Sequence, residues 1–203
     1  MTSTQFIVLD KRPYKETAML VNGISPDCGR LSLVVKKAQS ISASGEFSGV
    51  DLFREFDVCY DEESSGTLFN AETLELTAVC DSIADNIRNY KMAGKIAQFL
   101  LKNMADGVPV PFTYDAMRSV LAHLNGDCQE TAWTLEQCAV VIKMVFLYEN
   151  GILPEQQGRQ QEFVDALIAA GIECGDLPAA KPEYYTSLNN WLNSLIEYNH
   201  LER

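Results

Sequence analysis

Apolar and polar residues alternate at a period of two through roughly the first seventy positions, then recur at steps of three and four. Residues 6–9 and 18–21 are short apolar runs, and Leu31, Leu33 and Val35 alternate with Ser32 and Lys36. A half-buried strand shows its core side at every second position, so Arg30, Ser32 and Lys36 fall on the wet side. Residues 53–60 put Phe56, Val58 and Tyr60 on one side and Glu55 and Asp57 on the other. The pattern predicts strands over 5–11, 17–24, 30–38, 53–60 and 67–70. They are punctuated by Pro13, by the turn Ser25-Pro26-Asp27-Cys28-Gly29, by a Ser- and Gly-rich connection over 39–49 and by a turn over 61–66. Five short strands in so few residues predict a small closed barrel of the OB type.

From about Leu76 the helical period takes over. Ile83, Ile87, Tyr90, Gly94, Ala97, Leu101 and Met104 form one stripe of a long helix ending near Gly107, with Pro109 and Pro111 breaking it. Thr113 is the expected cap of a second helix that turns Met117, Val120, Leu121 and Leu124 inward and stops at Asn125-Gly126. Thr134 and Gln137 make a capping-box pair for a third, whose Leu135, Cys138, Ala139, Ile142, Val145 and Phe146 form a wide apolar face. A fourth helix is expected over 159–170, closed by Gly171. The fifth, after Pro182, would bury Tyr184, Leu188, Trp191, Leu192, Leu195 and Ile196. The expected fold is α+β: an N-terminal OB-fold barrel over 1–75 and an all-helical domain over 76–203.

The 203 residues suffice for two such cores, and an apolar fraction of 47% with 22% charged argues against wholesale disorder. No apolar stretch is long enough to span a bilayer, as Ala139 to Ile142 is interrupted by Lys143, and there is no basic leader before Asp10. The expected location is cytoplasmic, with no membrane partner. Net charge is −12, but unevenly spread: residues 1–60 hold seven basic and seven acidic groups, 61–75 hold five acids and no base, and 76–203 hold nine bases and sixteen acids. An acidic chain repels nucleic acid at long range, so any polyanion contact must rest on a local patch.

Cys28, Cys59, Cys80, Cys128, Cys138 and Cys174 are scattered without a C-x-x-C pair, and His123 and His200 stand alone in the sequence. Free thiols are expected rather than a disulfide framework or a metal site. Nucleophilic cysteine chemistry needs a positioned base, neither histidine has a context that suggests one, and there is no glycine-rich phosphate loop. No enzyme and no cofactor is expected.

The run Arg12-Pro13-Tyr14-Lys15-Glu16-Thr17, followed by Gly29-Arg30-Leu31-Ser32-Leu33-Val34-Val35-Lys36-Lys37-Ala38, resembles the opening of the RecO family of bacterial recombination mediators. In that family a strand leads into R-P-[YW]-x-E-T, a second strand, G-R-x-x-L and a basic segment ending in G-A-[RK]. A weaker similarity lies in Leu147-Tyr148-Glu149-Asn150-Gly151-Ile152-Leu153-Pro154, which resembles the helix end ahead of a four-cysteine zinc site in some members. Here that place is Glu155-Gln156-Gln157-Gly158, so no zinc is expected. The chain also departs from the family at Lys37-Ala38-Gln39 and in a following loop that carries one acid and no base.

The resemblance implies the same barrel-plus-helices fold and a DNA repair and recombination role, in which the protein binds single-stranded DNA and assists recombinase loading. It also implies a RecR-like partner on the barrel side, and helices that receive the acidic, hydrophobic C-terminal tail of single-stranded DNA-binding protein. The DNA-binding candidates are Lys11, Arg12, Lys15, Arg30, Lys36 and Lys37, because a curved sheet with Lys and Arg on neighbouring strands can track a phosphate backbone. The opposing reading has them solvated or neutralised by Asp10, Glu16, Glu55 and Asp57. Among the early aromatics Phe6, Phe47, Phe53, Phe56 and Tyr60 suit a core, and Tyr14, at a turn, is the candidate for base stacking. Arg88, Lys91, Lys95 and Lys102 are candidates for the rim of a groove that takes the tail. The alternative is a divergent OB-fold and helical module that binds proteins and no nucleic acid; a thiol-dependent enzyme is a third class.

Overall fold

The computed structural model describes residues 1–36, 49–61, 67–128 and 132–202. They form five strands, β1 (Thr2–Tyr14), β2 (Ala18–Ser25), β3 (Gly29–Val35), β4 (Glu55–Asp61) and β5 (Leu68–Ala78), then a 3-10 turn over Asp81–Asp85 and five helices. The helices are α1 (Ile87–Asn103), α2 (Pro111–Asn125), α3 (Leu135–Glu149), α4 (Arg159–Glu173) and α5 (Pro182–Tyr198).

The strands close in the order β1-β2-β3-β5-β4 and back to β1. All pairs are antiparallel except β3 with β5, so this is an OB-like barrel followed by helices, an α+β fold. β1 is long because it serves two neighbours, pairing with β4 through its first half and with β2 through its second. The change comes at a bulge between Val8 and Asp10. Bulges bend a strand and raise its twist, which is how one strand turns a barrel corner. Phe6, Val8, Val21, Leu31, Leu33, Val35, Phe56, Val58 and Tyr60 fill the interior, as the alternation predicts. Phe6 fits only because Gly23 lies beneath it: a Cβ there would stand 2.6 Å from the ring and 2.1 Å from the Ile7 carbonyl oxygen.

The division between units differs from the expected boundary at 75. β5 runs on to Ala78, and the first unit comprises Met1–Asp81 together with Met104–Val110; the second is Ser82–Asn103 with Pro111–Arg203. The return segment joins the barrel by backbone bonds from Gly107 N to Cys28 O (2.8 Å), Val110 N to Pro26 O (2.9 Å) and Arg30 N to Ala105 O (3.2 Å). Gly29 lies against it at φ +63, where a Cβ would be 2.4 Å from the Val108 carbonyl oxygen.

In the helical unit α3 is the most buried element, from Cys138 to Ile142 and from Met144 to Leu147, and its N-terminus is closed by the Thr134–Gln137 capping box as predicted. Four helices differ in detail from the sequence pattern. α1 buries Ala93, Ile96, Ala97, Phe99 and Leu100, whereas Ile87 and Tyr90 are exposed and Gly94 faces open space. α2 begins at Pro111, and its N-terminus is capped by the Glu149 carboxylate, which accepts from Phe112 N and Thr113 N at 2.8 Å each; Thr113 is not the cap. Gly171 does not stop α4 but lies within it, where a Cβ would meet Val141 at 2.7 Å and Val145 at 3.1 Å, so it permits close approach to α3. On α5 the buried residues are Tyr185, Leu188, Leu192 and Ile196, with Tyr184 exposed. Among the described residues no helix is long and apolar enough to cross a membrane.

Candidate nucleic-acid face and helical groove

The barrel does not gather its cations into one track. Lys11 Nζ is 2.7 Å from Asp51, and the Arg30 guanidinium binds Asp106 through Nε and Nη2 at 2.6 and 3.2 Å. Arg54 is held the same way by Asp81, at 2.9 and 2.7 Å. The hydrogen bond to Asp106 and its charge raise the Arg30 pKa further, and burial opposes them only in part. Burial disfavours the Asp51 carboxylate, but bonds from Lys11 and the Leu52 amide, with the nearby charges of Lys11 and Arg54, outweigh this and lower its pKa. The carboxylates found on Lys11 and Arg30 are not among the four that sequence proximity suggested. Asp10 instead accepts from Asn22 Nδ2 (2.9 Å), and Asn22 accepts from Ser32 Oγ (2.8 Å), a polar ladder across three strands.

Arg12, Lys15 and Lys36 are different. All three are exposed, and among the described residues none takes part in an ion pair. Register brings them to one end of the barrel: Arg12 lies opposite Leu20, Tyr14 opposite Ala18, and Lys36 follows Val35, which is opposite Met19. Lys15 sits in the β1–β2 turn at φ 55, and its Nζ lies 5.2 Å from the Tyr14 ring centroid. Tyr14 is half-buried against Ala18, Leu20 and Val34. The base-stacking candidate therefore has part of its ring committed to packing. Lys37 and Phe47 lie outside the described residues.

In the helical unit a groove of about 400 Å³ is lined by Met92, Lys95, Ile96, Gln98 and Phe99 of α1, Ala139, Ile142 and Lys143 of α3, and Asn189 and Asn193 of α5. Of the four expected rim cations only Lys95 lines it. Lys102 is tied to Glu202 at 2.9 Å, and Arg88 and Lys91, though exposed, are not part of the lining. Sequence reading missed Lys143, whose Nζ donates to the amide oxygens of Asn189 (2.9 Å) and Asn193 (2.7 Å). Its signal was a single lysine inside the apolar run of α3, opposite asparagines four residues apart on α5.

The histidine that stands alone in sequence does not do so in space. His123 Nε2 is 3.8 Å from Cys174 Sγ, which is 3.7 Å from Cys128 Sγ. Burial lowers the His123 pKa. The Cys128 thiol is pushed up to about 11, first by burial and then by the hydrogen bond and charge of Cys174. Cys138, buried in α3, is pushed up to about 12 by burial. Cys28 and Cys59, like these three, are free thiols. Comparison of the chain with protein-family models and with curated proteins finds no match.

Proposed function

We propose that this chain is a RecO-like recombination mediator, whose barrel binds single-stranded DNA weakly at the Arg12, Lys15 and Lys36 end and whose helical groove receives an acidic, apolar protein tail. The reading rests on the sequence resemblance, and the observation that carries it is the grouping of these three exposed cations at the hairpin that bears the R-P-Y-x-E-T segment. Cations that no described carboxylate pairs exchange their counterions for phosphate at little cost, and half-buried Tyr14 offers an aromatic edge among them. No covalent chemistry is part of this role: the protein would hold the strand while a recombinase is loaded. The test is fluorescence anisotropy of a labelled single-stranded oligonucleotide across a salt series. Three phosphate contacts give a slope of log affinity against log salt of about −2. Absence of binding at low salt sinks the DNA half.

The second reading is a protein-binding module of the same fold. It is favoured by the carboxylates on Lys11 and Arg30 and by the net charge of −12. In the groove Ile96, Phe99 and Ile142 offer an apolar floor and Lys95 and Lys143 flank it, a match for a tail that ends in apolar residues and carboxylates. Calorimetry with such a peptide and pull-down with a RecR-like protein separate the readings: partner binding without oligonucleotide binding supports the second.

A further inference from the structure

We propose that His123, Cys128 and Cys174 form a binding site for one thiophilic divalent cation of the zinc class, with solvent in the fourth position. Three separate pieces of the helical unit supply the donors: the last turn of α2, the loop after it, and the C-cap of α4. Their ligand atoms all lie within 4.8 Å of one another. The spacing suits a single metal. Tetrahedral zinc with bonds of about 2.3 Å to sulfur and about 2.05 Å to nitrogen sets its ligands about 3.8 Å apart for two sulfurs and about 3.6 Å for sulfur and nitrogen. Of the three separations here, the sulfur pair is 3.7 Å and Cys174 to His123 is 3.8 Å, with the third inside the 4.8 Å bound. A sulfur pair at 3.7 Å is also far longer than a disulfide bond of about 2.05 Å.

Cys174 reaches this place through an uncommon backbone. It caps α4 in the left-handed region, at φ 55 and ψ 39, where residues with a Cβ are scarce. It is also exposed, which leaves the fourth position open to water. Soft thiolates with an imidazole select zinc-like ions over magnesium or calcium. On binding, both thiols lose their protons to solvent, and the two thiolates balance the double charge of the cation. The site is distinct from residues 155–158, where the sequence has no cysteine.

Trp133 supports the imidazole and supplies a reporter. Its ring stacks on His123 with centroids 3.8 Å apart and planes 19° apart, and its backbone N–H meets His123 Nδ1 at 3.4 Å. That contact gives Nδ1 the lone pair and Nε2 the proton. A cation on Nε2 reverses the arrangement, so Nδ1 takes a proton and the long bond from the Trp133 amide is given up. Metal binding must therefore disturb Trp133.

The experiment is titration of the reduced, chelator-stripped full chain with Co²⁺, followed by competition with Zn²⁺. Expected are one equivalent bound, a thiolate-to-cobalt charge-transfer band with tetrahedral visible absorption, and a change in tryptophan emission that is lost in Trp133→Phe. Cys128→Ser, Cys174→Ser and His123→Ala should each weaken binding by at least tenfold, and Cys59→Ser on the barrel should leave it unchanged. Cys174→Ser, at an exposed helix end, serves if the buried variants fail to fold. The proposal is overturned if cobalt keeps its six-coordinate aqueous spectrum, if Cys174→Ser binds as well as the parent, or if zinc fails to slow alkylation of Cys174.

Discussion

The two ends of the barrel both carry cations on alternating strands and finish in different electrostatic states. At the β2–β3 hairpin the segment Met104–Val110 returns to cover the turn, and Asp106 clamps Arg30. At the β1–β2 hairpin, Arg12, Lys15 and Lys36 are exposed, and no described residue forms an ion pair with them. The strand pattern is the same at both ends, so a cation's place on a strand does not decide whether it can meet a ligand. That is decided by what a remote stretch of chain brings alongside: Asp106 lies 76 residues from Arg30.

The sharpest test of the covered end is Gly29→Ala. A side chain at φ +63, with its Cβ 2.4 Å from the Val108 carbonyl oxygen, should destabilise the protein by about 3 kcal/mol, seen as a lower denaturant midpoint. At the open end, the double reversal Arg12→Glu with Lys36→Glu should cut oligonucleotide affinity at low salt about a hundredfold, read by anisotropy, because contacts are replaced by repulsion. The contrast itself is erased by Asp51→Asn with Asp106→Asn, which releases Lys11 and Arg30. Affinity should then rise about tenfold and the salt slope steepen from about −2 to about −3.5. An unchanged slope would place both cations off the path of the strand. The smallest effect is on pH. The folded-state pKa of Asp51 is lowered, so its contribution is present above the ordinary carboxylate range and is lost as pH falls through the folded value. The parent should lose more stability than Asp51→Asn in thermal melts taken below about pH 4.

Much of the barrel was legible because period-two alternation is a one-dimensional record of a two-sided sheet: Leu31, Leu33 and Val35 point inward as read. α1 was misread for a related reason. Its apolar residues occupy more than one stripe, and the face that packs is chosen by neighbouring helices: Ile83, Ala97 and Met104 are buried as read, but Ala93, Ile96 and Leu100 are buried in place of Ile87 and Tyr90. Gly171 looked like a stop because glycine often ends helices, but here its missing side chain is used against Val141 and Val145. The basic candidates were legible as residue types and not as a surface, since Asp51 and Asp106 carry no local mark of their partners. His123 and Cys174, 51 residues apart, likewise had nothing in sequence to join them.

The return of residues 104–110 to the first unit means that the chain passes between the two units three times, after Asp81, Asn103 and Val110. A truncation after residue 81 would remove the acid that clamps Arg30 and the amides that bond Cys28 and Pro26, baring backbone acceptors and a cation the intact protein keeps satisfied. Such a fragment would be less stable and more adhesive toward polyanions than its parent. Testing the two proposed binding roles separately is better done with point substitutions, or with a permuted chain that keeps the return strap attached to its hairpin.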